Sequence, residues 1–353
     1  MLDVSRLYTH PDLLRRAHYV LAWLVHFYIH SQPPASDESP KKVPKALAVP
    51  LVEVSRHLGI APVVTFADTV LWNCVSADPG QSLSMETLGS IRVINAFSGT
   101  DDERGFYISS AKAELRGIEM LRIFEEYRDL PNVDDLTTIS KLSRDLVRLA
   151  RIIDDISDII QSVRTNCDPE IFYQFVRPWF VGSGAGEGEA RWIYEGVPES
   201  EQLDLDGPSA GQSSVMHALD IFLDIDHKHR QNRYSASKTD KRVDHGFMDR
   251  MRRYMPGKHR EYLSHLASMP KSIRDVASQV PALREPYDTA VGALKRLRDL
   301  HLRIACLYIV TMSYKCPMMR RLKGPSRGTG GNEVSILLKT GRDNTQRAMF
   351  KPS

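Results

Sequence analysis

The chain has 353 residues, 42% hydrophobic and 26% charged, and its 47 basic and 44 acidic side chains leave a net charge of +3. That is the balance of a globular protein long enough to bury a full core, and so small and scattered a charge excess argues against nucleic acid or an anionic membrane as partner. Cys74, Cys167, Cys306 and Cys316 lie far apart with no CxxC pair, which excludes a disulfide framework and a structural zinc site and points to a reducing, cytoplasmic setting.

The first apolar stretch, "YVLAWLVHFYI" at 19–29, has eleven residues and includes His26. A bilayer span needs about 20. Arg15-Arg16 before it imitates a signal peptide, but Asp3, Asp12 and the lack of an A-x-A cleavage site speak against one. The stretch reads as a core helix. "SQPPASDESPKKVP" (31–44) is a surface connection. A helix is expected over 106–127, and a strongly amphipathic one over 141–160, where Leu142, Leu146, Leu149, Ile153, Ile156 and Ile160 recur at steps of three and four.

Within that helix "DDISD" sets Asp154, Asp155 and Asp158 at the spacing with which some enzymes hold magnesium diphosphate. Arg151 stands four residues before Asp155, a good ion-pair spacing, and the companion magnesium motif is missing. A solvated face is the expected reading. Farther on, "VGSGAGEGEARW" (181–192) is a Gly-rich loop, "SASKTDKRVD" (235–244) a solvated one, and "KGPSRGTGGN" (323–332) a third.

"GPSAGQSSVMHALDIF" (207–222) places its smallest residues directly before an apolar stretch. Backbone amides there can approach a ligand closely; alternatively Ser213 or Ser214 simply caps the following helix. No GxSxG is present, and Ser209, Ser213 and Ser214 have no recognisable base, so nucleophilic hydrolysis is not supported. "DHKH" (226–229) and His245 sit in hydrophilic sequence and offer at most weak zinc ligands. His301 differs. It falls on the apolar line Leu294, Leu297, His301, Ile304, Tyr308 of a helix expected over 287–315. Such a histidine is either a hydrogen-bonded core residue or the single imidazole that suits a haem with a proximal histidine. No succession of alternating strands is visible, so the fold class is mainly α.

Several collinear stretches resemble the indoleamine 2,3-dioxygenase family: "LAVPLVEVSRHLGIAPVVTFADTVLWN" (47–73), "GFYISSAKAE" (105–114), "FVRPWF" (175–180), "IYEGV" (193–197), "GPSAGQSSVMHALD" (207–220), "MRRYMPGKHREYL" (251–263), "LRDLHLRI" (297–304) and "GTGGNEVSILLK" (328–339). The resemblance implies an all-α fold, with a smaller N-terminal helical domain at 1–98, shorter than in many relatives, before a large haem-binding domain at 99–353. It implies a haem b enzyme that inserts both atoms of O2 across the indole C2–C3 bond of L-tryptophan or a related indoleamine, with an external reductant, acting as a monomer. His301 would be the proximal ligand, and Asp220 and Arg298 would orient it. Phe66, Phe106 and Phe172 would wall the indole, Ser110 would be the pocket hydroxyl, and Arg177 would bind the substrate carboxylate. Ser209, Ala210 and Gly211 would line the haem, with backbone lying close to the porphyrin, and Thr329 would belong to the loop over the substrate. No side chain is assigned an acid–base role. Departures from the family pattern are Phe66, where many relatives carry Tyr, Asn332 after "GTGG", and the Gly-rich segment after Arg177. An oxygen-binding haem protein on the same scaffold and a magnesium enzyme built on "DDISD" are the competing readings.

Overall fold

The computed structural model describes residues 2–32, 39–84, 86–130, 133, 135–183, 190–225, 246–315, 328–329 and 333–350. "DHKH", His245, Cys316, the 235–244 loop and most of the two remaining Gly-rich loops lie outside them.

The architecture is helical. α1 (Pro11–His30) starts on a proline, whose fixed φ suits the first helical position. α2 (Lys45–Leu58) follows β1 (Lys41–Val43), and a π turn at Ala67–Leu71 leads into β2 (Cys74–Ser76) and β3 (Ile91–Val93). α3 (Asp101–Arg128) and α4 (Leu136–Gln161) are the expected helices, extended at both ends. Short helices α5 (Val163–Asn166) and α6 (Pro169–Ile171) lead to a π turn at Phe172–Val176, a 3-10 turn at Arg177–Phe180 and β4 (Trp192–Tyr194). Then come α7 (Ser214–Phe222), α8 (Phe247–Met251), α9 (Gly257–Ala267), α10 (Ile273–Gln279) and α11 (Pro281–Ala305). A π turn at Cys306–Thr311, α12 (Met312–Lys315) and α13 (Val334–Ala348) complete the chain. The strands, which sequence periodicity does not reveal, have three residues each. β1 runs parallel to β4 with Lys41 opposite Trp192, and β2 antiparallel to β3 with Cys74 opposite Val93. Runs this short cannot show a period of two.

Caps explain where the main helices begin. Thr100 accepts from the Glu103 amide at the head of α3, and the buried Glu103 carboxylate accepts from the Phe97 and Ser98 amides and the Tyr107 hydroxyl. Asp135 does the same for α4 through the Thr138 amide.

Among the described residues apolar packing forms two large clusters and a small one of Tyr173 and Met312. Of the large ones, one joins α1, α2, β4 and the turn around Phe172, and the other joins α4, α7, α9, α10 and most of α11. α3 and α11 pass through both: Tyr107 and Ile304 belong to the first, Met120 and Leu297 to the second. His301 therefore lies where α11 crosses from one core to the other. In the α4 stripe Leu142, Leu146, Leu149, Ile153 and Ile156 are buried and Ile160 is half-buried. Each fully buried side chain of this kind contributes about 1.5–3 kcal/mol.

The opposite face of α4 is solvated, as the sequence suggests, although its ion pairs differ. Asp155 pairs with Arg116 of α3 at 2.7 Å rather than with Arg151, and Asp154 pairs with Arg296 of α11 at 2.9 Å. These aspartates tie helices together at the surface. Among the described residues no group of three or more His, Cys, Asp or Glu could hold a metal ion.

A second polar contact joins α3 to α7. Ser213 is the N-cap of α7, accepting from the Met216 amide at 3.3 Å, and its hydroxyl donates to the Glu114 carboxylate. Burial pushes that carboxyl up to about 7.

The surface aspartates and the buried Glu114 each give an expected outcome. Because Asp154 and Asp158 stand at the surface, Asp154→Asn with Asp158→Asn should change the unfolding free energy by less than about 1 kcal/mol. Isothermal calorimetry should find no saturable Mg²⁺ binding by the native protein; tight binding lost in the double variant would restore the magnesium reading. For Glu114, the folded pKa, about 7, exceeds the ordinary 4.5, so between those values the native state holds a proton that the unfolded chain has released. Its contribution is complete below the ordinary value and disappears as pH rises through the folded one. Melting curves between about pH 5 and 8 should fall less steeply for Glu114→Gln than for wild type; identical slopes would contradict this.

Candidate functional site

His301 sits near the end of α11, half-buried, on a line whose other members Leu294, Leu297, Ile304 and Tyr308 are all buried. Desolvation, then the positive charge of Arg298, lowers its pKa below the usual histidine value, so the ring is neutral. Among the described residues it makes no hydrogen bond. A hydrogen-bonded core histidine would show a partner. This one presents a neutral imidazole with a free lone pair, the form in which histidine ligates a metal. Its chemistry fits haem iron.

Arg298, one turn earlier, points to the neighbouring helices. Its guanidinium donates to Asp220 of α7 at 2.5 Å, to the Gly341 carbonyl of α13 at 3.0 Å and to the Thr345 hydroxyl. Asp220 and Arg298, far apart in the sequence, thus meet in one buried ion pair beside the helix that carries His301.

The aromatic wall is equally concrete. Phe106 of α3 and Phe172 lie with ring centroids 4.9 Å apart. Phe180 is 6.3 Å from the first and 6.4 Å from the second, and Tyr308 meets Phe172 edge-on at 5.6 Å. Tyr308 lies within the π turn that directly follows α11, so the ring cluster packs against the continuation of the helix that carries His301. Ser110, one turn from Phe106, donates back to the Phe106 carbonyl at 3.1 Å, a bond satisfied within its own helix.

Arg177 corrects the sequence reading. In an α-helix, residues five apart point roughly 140° away from each other, which would put Phe172 and Arg177 on different faces. The segment is instead a π turn in which the Arg177 amide bonds to the Phe172 carbonyl, an i to i+5 closure. Arg177 is thereby brought back over the turn that carries Phe172. Its guanidinium is half-buried and lies 5.3 Å over the Tyr173 ring.

The 207–212 segment meets Phe66, Thr329 and Phe180. The Phe66 amide donates to the Gln212 side-chain carbonyl at 2.8 Å, and the Gln212 amide group donates to the Gly207 carbonyl at 2.9 Å. The Thr329 hydroxyl donates to the Pro208 carbonyl at 2.6 Å, so Phe66 and Thr329 rest on the same loop. Sequence reasoning misses Gln212; an amide among "SAGQSS" that must satisfy two backbone groups is the available signal. Ser209 accepts from the Gly211 amide at 3.2 Å, and Ala210 is exposed. The small residues have a reason the sequence does not disclose. A Cβ on Gly207 would stand 1.7 Å from the Phe180 carbonyl oxygen, and one on Gly211 2.7 Å from the Phe247 ring. Both are small for the protein's own packing.

A surface cleft of about 420 Å³ is lined by Gln161, Arg164, Leu300, Arg303, Ile304 and Leu307, residues of α4, of the segment after it and of the end of α11 and the turn beyond. No helix among the described residues is long and apolar enough to cross a membrane.

Comparison with known proteins identifies the family. The chain matches the family described as indoleamine 2,3-dioxygenase over residues 1–348. It is 31% identical to indoleamine 2,3-dioxygenase 1 of Rattus norvegicus, over 96% of this chain and 80% of that protein. It is 32% identical to indoleamine 2,3-dioxygenase 2 of Homo sapiens, over 100% and 87%. A 6-hydroxytryptophan 2,3-dioxygenase of Fusarium equiseti is 29% identical over 95% and 78%. With a match along nearly its whole length and relatives of about 30% identity covered over most of their own length, the chain belongs to the indoleamine 2,3-dioxygenase family.

Proposed function

We propose that the protein is a haem-dependent dioxygenase that opens the indole C2–C3 bond of L-tryptophan, or a close indoleamine, to give N-formylkynurenine, the first step of the kynurenine pathway. His301 would hold the iron of haem b, with Asp220 and Arg298 fixing the helix behind it. Ser209, Ala210 and Gly211 would line the haem. A bound haem would supply the chemistry with dioxygen, sustained by an external reductant.

The protein's own contribution is positioning. Phe106, Phe172 and Phe66 offer a flat apolar slot in which an indole can lie. Arg177 at the rim offers a planar fork that matches a carboxylate at two points. Ser110, already bonded to its own helix, is not required to move a proton, and the slot excludes water from the bond being opened. The observation that supports the substrate reading is the π turn that closes the Arg177 amide on the carbonyl of Phe172, a member of the phenylalanine cluster. An oxygen-storing protein has no use for that cation. The Fusarium relative acts, by its name, on a ring-hydroxylated tryptophan; the apolar Phe66 wall favours the unsubstituted ring here.

Arg177→Leu tests this reading. Loss of a charge-assisted contact costs about 1.5–3 kcal/mol, so affinity for L-tryptophan should drop roughly tenfold to a hundredfold. Haem content should stay normal, and tryptamine, which has no carboxylate, should be affected far less. Equal losses for both compounds would make Arg177 structural.

A further inference from the structure

We propose that His26 and His30 of α1 are positioning residues for Arg177, through which the N-terminal helix sets the recognition of the substrate carboxylate. The inference rests on the Arg177 reading above.

Arg177 opens a 3-10 turn that ends at Phe180, and the carbonyl groups on either side of Phe180 both point at α1. His26 Nδ1 meets the Trp179 carbonyl at 3.1 Å, and His30 Nε2, one helical turn on, meets the Val181 carbonyl at 3.1 Å. Carbonyl oxygens only accept, so each of these nitrogens carries the hydrogen. His26 is fixed further, because its Nε2 accepts from the Val64 amide at 3.3 Å. The ring is therefore the neutral Nδ1–H tautomer, with both nitrogens engaged. Desolvation lowers His26 to about 3 and His30 to about 4, in the latter case with help from Lys41. Neither ring charges at working pH.

The rings are themselves held. His26 and His30 stand edge-on to Trp192 at 5.1 and 5.9 Å, and Trp179 is stacked on Phe97 at 5.4 Å with planes 9° apart. On its other side the turn meets Gly207, which leaves no room for a Cβ beside the Phe180 carbonyl. The segment after Arg177 is thus gripped between α1 and the 207 loop. The Phe172 carbonyl holds the Arg177 amide from one side, and two histidines spaced four apart, some 150 residues away in sequence, hold the carbonyls two and four residues beyond it. A fork that must meet a carboxylate at two points tolerates little displacement, since a misplacement of about 1 Å can cost a hundredfold.

The test uses the haem-loaded full-length protein, with calorimetric Kd values and steady-state KM and kcat for L-tryptophan and tryptamine. His26→Leu and His30→Met should each weaken L-tryptophan about threefold to tenfold, in KM and Kd together. kcat, the Soret spectrum and tryptamine binding should hold. His26→Asn and His30→Gln, whose amide nitrogens replace Nδ1 and Nε2 as donors, should restore most of the loss. In an Arg177→Leu background, His26→Leu should weaken L-tryptophan no further. Equal losses for both compounds, failed rescue, or a full additional loss in that background would overturn the proposal. Should His26→Leu not fold, the half-buried His30 pair of variants decides the question alone. The Arg177 reading fails on a different result, namely Arg177→Leu treating the two compounds alike.

Discussion

A guanidinium and a carboxylate that are both nearly out of water, Arg298 and Asp220, hold the centre of this molecule together. Burying such a pair is costly unless every donor finds a partner, and removing one member strands the other at a cost of about 3–5 kcal/mol. Here Arg298 is spread over Asp220 of α7 and over Gly341 and Thr345 of α13. Two helices distant in sequence are thereby fixed against the segment of α11 that carries His301. Burial first, and the charge of the same arginine second, lower the basicity of the imidazole, which keeps it in the neutral form a metal requires. Because α7 begins directly after the 207–212 segment, the pair also locates the loop on which Phe66 and Thr329 rest.

The three π turns share a pattern. They occur at Ala67–Leu71, just after Phe66; at Phe172–Val176, just before Arg177; and at Cys306–Thr311, just after the helix that bears His301. Each inserts one residue into a helical course and re-aims the residues beyond it, a departure that is costlier than regular helix and is frequent at functional sites. In this protein they turn elements of a helical scaffold toward one shared region.

Much of this is legible in the sequence, for identifiable reasons. α3, α4 and α11 bury wide apolar stripes, and a stripe of period 3.6 is visible in a linear string. The cap at Ser213 is visible as one of two adjacent serines before an apolar run, and Asp220, Arg298 and the phenylalanines through resemblance to a family. Other features leave no trace. A π turn changes which residues share a face without changing composition, which is why Phe172 and Arg177 look misaligned in the sequence. The partner of Asp155 is Arg116, because local spacing cannot report a neighbouring helix. Gly207 reads as small for a ligand, yet it is small because Phe180 passes against it. His26 and His30 look like two more residues of an apolar helix.

The central claim is that His301 is the residue that would hold the iron, and resonance Raman spectroscopy of the reduced, haem-loaded protein tests it most directly. Wild type should show an iron–imidazole stretching band. His301→Ala should lose that band and stable haem retention while its far-UV circular dichroism stays helical. A variant that kept the band, a full Soret absorption and an unchanged ferrous-CO spectrum would contradict the assignment.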